Sequence, residues 1–257
     1  MTETFIAPQV EFAAVRKLYG NERLVVDNLT LSIAKGEFVT FLGPSGCGKS
    51  TLLKLISGLT SPSSGIIQVD GMTPRNARET VSYIFQDPTL LPWRTVRQNV
   101  GLGLELEGIN RERRWETTRS LLELVGLEQV VDAYPRELSG GMKMRVSIAR
   151  ALATNPKLLL MDEPFAALDE ITRDRLNEEL LRLREEQNWT AVFVTHSVAE
   201  AVFLSTRIFV LAANPGRVHA VLPIEFPFPR TSALRASAEF NSVVMHMSRT
   251  LREATLQ

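Results

Sequence analysis

Gly43-Pro44-Ser45-Gly46-Cys47-Gly48-Lys49-Ser50 is the segment of the chain most plainly shaped for chemistry. It satisfies G-x-x-x-x-G-K-[ST] at every fixed position. Glycines let backbone N–H groups turn inward around an anion with no Cβ in the way. A helix beginning near Lys49 adds unpaired N–H groups and the positive end of its dipole. Lys49 supplies a point charge for β- and γ-phosphates, and the Ser50 hydroxyl is a hard oxygen suited to Mg²⁺. By average residue usage the bare pattern arises by chance in about one chain per hundred of this length. An apolar strand before it and an amphipathic helix after it make chance rarer still. The chemistry implied is binding of ATP with Mg²⁺ along residues Gly43 to Thr51. Cys47 occupies a free position of the pattern, and its side chain is expected against the phosphates.

Leu158-Leu159-Leu160-Met161-Asp162-Glu163-Pro164 is an apolar strand that ends in two acids. Consecutive strand residues point to opposite sides, so the two carboxylates have separate tasks. One can hold Mg²⁺ through its waters and the other can polarise an attacking water. The expected division gives Asp162 the metal and Glu163 the general base. Two acids after a strand are by themselves an ordinary start to an α/β loop; the phosphate loop upstream is what favours the catalytic reading.

A second glycine-rich helix start, Leu138-Ser139-Gly140-Gly141, precedes Met142. On its own it reads as a plain helix cap on Ser139, yet it is also a second anion-binding terminus in a chain with one nucleotide loop.

Taken with Arg145 and Ala149-Arg150-Ala151-Leu152, and lying just before the acid pair, this segment resembles the signature motif of ABC ATPases. The resemblance covers residues 10–230 and implies a P-loop α/β core with a parallel-rich sheet, an N-terminal antiparallel β-subdomain and an inserted helical subdomain at about 92–140. The ATPase domain would then be 1–230, with a helical tail at 231–257. It also implies two such chains, alike or similar, sandwiching two ATP molecules head to tail, so that Ser139, Gly140 and Gly141 meet the partner's phosphates. Tyr19 resembles the aromatic that stacks on adenine. Gln86 resembles the loop glutamine that senses Mg²⁺ and γ-phosphate, His196 the switch histidine, and Ala167-Leu168-Asp169 the loop that touches the other protomer. Met142 and Met144 stand where glutamines are common. Leu90-Leu91-Pro92-Trp93 after Gln86, Met142-Lys143 in the signature, Pro215-Gly216-Arg217 and Pro229-Arg230 together look like the importer branch that moves nitrate, sulfonates, taurine and related small solutes. That branch implies transmembrane permease subunits, an indirect solute-binding protein and a peripheral place at the cytoplasmic face of the membrane. The segment Gln86–Arg97 is the expected permease contact, with Leu90, Leu91 and Trp93 as its apolar groups. The competing reading is a soluble ABC ATPase acting on nucleic acid or ribosomes. A regulatory nucleotide binder is less consistent with Glu163 and His196.

The elements that must position these residues are legible as periodicity. Strands are expected at Val10–Val15, Leu29–Ile33, Phe38–Leu42, Ile66–Val69, Val81–Phe85, Leu158–Met161, Thr190–Thr195 and Ile208–Leu211. Helices are expected at Thr51–Leu59, Met142–Ala153, Glu170–Gln187 and Val198–Leu204, with a mostly helical stretch over 92–137 broken at Gly108 and Gly126. The late strands are continuously apolar, as in a parallel sheet covered on both faces. Glu170–Gln187 reads as a solvated helix with Glu178–Arg182 as an i,i+4 pair. His219 and His246 match no motif and read as surface residues.

Composition bounds the alternatives. The chain has 257 residues, 29 basic and 29 acidic, and so no net charge; a nucleic-acid partner would favour a basic excess. A single cysteine excludes an intrachain disulfide. The longest apolar runs fall far below the roughly 20 residues of a membrane span, and Met1–Glu11 lacks the pattern of a secretory signal.

Overall fold

The computed structural model describes residues 8–20, 22–213 and 215–256. Its elements in chain order are β1 (Val10–Tyr19), β2 (Arg23–Ile33), β3 (Phe38–Leu42), α1 (Lys49–Ile56), β4 (Ser64–Val69), β5 (Val81–Ile84), α2 (Val96–Val100), α3 (Leu102–Leu106), α4 (Arg111–Leu124), α5 (Gly140–Leu152), β6 (Leu158–Asp162), α6 (Glu170–Gln187), β7 (Thr190–Val194), α7 (Val198–Leu204), β8 (Arg207–Ala212), β9 (Arg217–Pro223), α8 (Ser232–Arg235) and α9 (Ala238–Thr255).

Two sheets form. The larger has strand order β5-β6-β7-β3-β8-β9, parallel except for the antiparallel pair β8–β9 at its edge. The smaller is antiparallel in the order β2-β1-β4. Because strand side chains alternate, each central strand divides its residues between two cores. Leu159, Met161, Phe193 and Phe38 pack with the helices α2, α5, α6 and α7. Leu158, Leu160, Val192 and Phe41 pack with α1 and the small sheet. The alternation carries past the apolar run: Asp162 shares the side of Leu158 and Leu160, and so faces α1 and the loop before it.

The strands are longer than expected at the N-terminus, where bulges between Phe12 and Leu18 let β1 run on to Tyr19. The edge strand β9 was not anticipated. Its residues are half-exposed, and a proline at its last position obscures a strand pattern. Gly108 and Gly126 follow α3 and α4 with φ of +75° and +64°, as expected for helix breaks. On α6, Arg182 pairs with Glu179 and Glu186, not with Glu178. Met144 is fully enclosed in the helix-side core, which accounts for an apolar residue where glutamine is common.

Arg230 has a buried role that its surface-like type conceals. It is 3% exposed, and its Nη1 donates to the carbonyls of Val202, Phe203 and Ser205, while Nε and Nη2 donate to Phe226 O. The first three are the orphan acceptors at the C-terminus of α7, where a cation also complements the dipole. Burial pulls the guanidinium pKa down to about 10, and the Phe228 ring lies 4.2 Å from its carbon. Removing the side chain strands several buried carbonyls. We expect Arg230→Ala to lower unfolding free energy by about 2–4 kcal/mol, read as a drop in the urea midpoint. An unchanged midpoint would show that water replaces the guanidinium without cost.

Candidate active site

The loop after β3 closes on itself through Lys49. This side chain is 5% exposed, and its ammonium donates to Gly43 O at 2.8 Å and Pro44 O at 2.9 Å. No carboxylate pairs with it among the described residues. Gly48, at φ +96°, is the N-cap of α1, a conformation that strains any residue with a Cβ. The first turn of α1 contains no acidic residue of its own, so its free N–H groups and positive dipole end stay available to an anion.

A cavity of about 460 Å³ opens in front of this loop, lined by Tyr19, Arg23, Val25, Ser45, Gly46, Gly48, Lys49, Ser50, Thr51, Gln86, Glu163 and His196. Ten of the predicted site residues are thus brought together from five separate stretches of chain. Asp162 stands immediately behind the lining: its Oδ1 accepts from Ser50 Oγ at 2.9 Å, and its Oδ2 accepts from the Tyr83 hydroxyl at 3.3 Å. Burial pushes the Asp162 pKa up, and the hydrogen bonds from Ser50 and Tyr83 oppose that rise.

Glu163 follows β6 at φ +50°, a left-handed conformation that costs about 1 kcal/mol or more outside glycine. Its N–H donates to Val194 O at 3.0 Å, so the sheet holds the turn. Oε1 meets His196 Nε2 at 2.6 Å, and Oε2 accepts from Gln86 Nε2 at 3.3 Å. Both carboxylate oxygens are therefore engaged inside the cavity. His196 lies between Thr195, whose hydroxyl donates to buried Glu200, and Ser197, whose N–H donates back to Thr195 Oγ1 at 3.0 Å. Arg173 pairs with Glu200 at 3.4 Å and donates to Leu168 O at 2.8 Å. The loop of His196 and the loop Ala167-Leu168-Asp169 are thus tied to one ionic group.

Ser139, Gly140 and Gly141 are not part of this cavity. Ser139 caps α5 by accepting from Met142 N at 3.2 Å. Ser139 and Gly140 are exposed, while Gly141 lies close to Ala167 O. The helix start is therefore presented outward beside the loop 167–169.

Cys47 departs from expectation. Its side chain is 1% exposed and belongs to the core beneath the loop, with burial raising the thiol pKa. It is absent from the cavity lining, to which its neighbours Gly46 and Gly48 both contribute. Sequence reading also missed Arg23, which adds a cation to the lining, and Gly216. A Cβ at Gly216 would stand 2.2 Å from Cys47 O and 2.9 Å from Val25 O, while Gly216 N–H donates to Val25 O at 2.9 Å. The Pro215-Gly216-Arg217 turn thus rests directly on the phosphate-type loop. Only the glycine itself hinted at so close an approach.

The buried thiol makes a direct test. Alkylation of Cys47 by N-ethylmaleimide should be at least about 100-fold slower in the native chain than in urea, since reaction needs local opening. Rapid labelling of the folded protein would place the thiol in the cavity after all.

Comparison with known proteins gives the family and the fold. Residues 26–166 match the family model described as ABC transporter. The chain is 45% identical over 235 residues to a nitrate import ATP-binding protein of Synechocystis sp., covering 89% of this chain and 88% of the relative. It is 42% identical over 224 residues to an aliphatic sulfonates import ATP-binding protein of Bacillus subtilis, covering 87% and 86%. A dimeric ATP-binding cassette solved in a post-hydrolysis state with ADP and Pi superimposes with a TM-score of 0.78 at 34% identity, covering 85% of this chain and 100% of that one. The fold expected from the sequence is the fold found, and the chain belongs to the ABC transporter family as one of its ATP-binding cassettes.

Proposed function

We propose that this chain is the ATP-hydrolysing subunit of an importer for a small solute such as nitrate, a sulfonate or taurine. The observation that carries the hydrolytic reading is Glu163, held between His196 and Gln86 in the cavity that the phosphate-type loop faces. The loop amides and Lys49 bind the triphosphate, and Tyr19, 40% exposed at the rim, offers a ring face to the base. Glu163 orients the attacking water and takes its proton. His196 holds one oxygen of that carboxylate and stands ready to contact the γ-phosphate. Gln86 bridges the same carboxylate to the loop that leads away towards α2.

The residues fit Mg²⁺. Ser50 Oγ and Asp162 Oδ1 are hard oxygens 2.9 Å apart, the spacing of two neighbouring vertices in an octahedron of roughly 2.0–2.1 Å bonds. Mg²⁺ is ordinarily held by one or two protein oxygens together with waters and substrate phosphates. When bound there it would neutralise charge on the β- and γ-phosphates. Ser50 and Asp162, with Gln86 at the cavity edge, are the residues that would hold it.

The outward-facing start of α5 supports a head-to-tail pair, in which Ser139, Gly140 and Gly141 of one chain complete the site of the other. Among the described residues no helix is long and apolar enough to cross a membrane. The proposed place is peripheral, at the cytoplasmic face, against permease subunits that receive solute from a binding protein.

A surface suited to the permease adjoins Gln86. Asn99, fully buried, accepts from Leu91 N and donates to the carbonyls of Leu91, Arg94 and Thr95. That side chain builds a firm turn with Trp93 at its tip, 70% exposed. Arg94 pairs with Glu105, which lines a neighbouring cavity of about 540 Å³ with Arg97, Arg111, Trp115 and Thr118. Leu90 differs from expectation: it packs against the chain's own core, leaving Trp93 as the apolar anchor.

Two outcomes test the proposal. Glu163→Gln should keep ATP affinity within about twofold, lower kcat by about 10²–10⁴ and accumulate an ATP-dependent dimer in size-exclusion chromatography. Full turnover in that variant would remove Glu163 from the base role. Trp93→Ser should leave ATP turnover of the isolated subunit unchanged, yet abolish its capture by the detergent-solubilised permease; undiminished capture would move the contact elsewhere.

A further inference from the structure

Tyr83, which does not line the cavity, places its hydroxyl against an acid of the site. Its position on β5 follows the alternation of the strand: Val81 and Tyr83 pack on the core shared by Leu158 and Leu160, the side to which Asp162 also belongs. β5 runs parallel to β6 with Tyr83 opposite Leu160, so a long side chain leaning along the strand arrives at the level of Asp162. Packing alone would be served by phenylalanine. The phenol goes further and donates to Asp162 Oδ2 at 3.3 Å. The ring is held from the other side by Phe85, stacked at 4.1 Å and 21°, and Phe85 is the residue before Gln86.

The carboxylate needs such a donor. Asp162 is 6% exposed, and a buried ionised carboxylate is costly unless hydrogen bonds replace its water. Its two oxygens are divided between two elements: Ser50 from α1 holds Oδ1 and Tyr83 from β5 holds Oδ2. With Oδ2 fixed, the group cannot rotate about its last bond, and Oδ1 stays beside Ser50 Oγ.

We propose that Tyr83 is a positioning residue for the divalent cation: its hydroxyl anchors the far oxygen of Asp162 and thereby presets the near oxygen, with Ser50, as the protein's share of the metal site. The inference rests on the reading of Ser50 and Asp162 as metal-holding residues. Partners that orient a metal ligand from behind typically contribute about 10–100-fold to metal affinity. Tyr83 acts on the metal and leaves the nucleotide alone, because it is not among the residues that line the cavity.

The test uses the full chain and Tyr83→Phe, which keeps ring and stacking. Mn²⁺ binding in the presence of ADP is followed by electron paramagnetic resonance, and ADP binding in EDTA is followed in parallel. The Mn²⁺ dissociation constant should rise by about tenfold or more, while ADP affinity without metal stays unchanged and the thermal midpoint falls modestly, because a buried carboxylate oxygen loses its donor. In an Asp162→Asn background the same substitution should change Mn²⁺ affinity by less than about twofold, since the carboxylate that Tyr83 positions is gone. A Mn²⁺ constant in Tyr83→Phe equal to wild type, an equal loss of metal-free ADP binding, or a full additive effect in the Asp162→Asn background would each overturn the inference. Wild-type protein whose ADP binding ignores Mn²⁺ would instead overturn the metal reading beneath it, and the two failures are told apart by the wild-type titration alone.

Discussion

A buried ammonium that meets no carboxylate among the described residues organises this molecule. Lys49 lies under the loop 43–48 with the carbonyls of Gly43 and Pro44 and, at 3.9 Å, the Cys47 sulfur against it, and a charge so placed is tolerable only where fixed dipoles and an incoming anion complete its surroundings. Everything around it keeps that positive excess intact. The first turn of α1 holds no acid. The two carboxylates that must come near are occupied elsewhere: Asp162 is held by Ser50 and Tyr83, and Glu163 by His196 and Gln86. Had either acid closed on Lys49, the loop would have neutralised itself and lost its attraction for phosphate.

Keeping Glu163 away from the lysine has a conformational cost, and the sheet bears it. The residue sits at φ +50°, off the end of β6, with its N–H bonded to Val194 O. The left-handed kink re-aims a chain that in continued strand conformation would send residue 163 to the side of Leu159 and Met161. It delivers the carboxylate towards His196, and the Glu200–Arg173 pair behind Thr195 keeps that histidine's loop in place. Strain at Glu163 and a buried ionic pair at Glu200 are two parts of one arrangement. The first aims the acid and the second fixes what it is aimed at.

The motifs that were legible in the sequence are those whose chemistry is local. The loop 43–50 shows itself because glycines, lysine and serine must be consecutive to wrap one anion. The acid pair shows itself because it ends an apolar run. What stayed hidden depends on distant residues meeting. Tyr83 and Asp162 are 79 positions apart, and Gly216 touches the carbonyl of Cys47 across the edge of the sheet. Arg230 looks like a surface arginine after a proline until the C-terminus of α7 is laid beside it. Cys47 differs from expectation in its side chain alone: the thiol is buried beneath the loop, and membership of a binding motif does not fix the direction of a side chain at one of its free positions.

Asn99 extends the same logic to the surface. A turn carrying two prolines and a tryptophan would ordinarily fold its apolar groups inward, since an exposed indole gains nothing in water. Here a fully buried amide spends its donors and acceptor on the backbone of that turn, at Leu91, Arg94 and Thr95, and so holds Trp93 outward against its own preference. Arg150 fastens the preceding stretch in the same manner, donating to Pro88 O and Thr89 O at 3.0 Å each. Because Arg150 belongs to α5, the helix whose start is presented outward beside the loop 167–169, the chain between Gln86 and Trp93 is tied on one side to that helix and on the other to α2. A displacement of Gln86 within the cavity cannot be absorbed by slack in this segment; it has to move the mooring helices or be resisted by them.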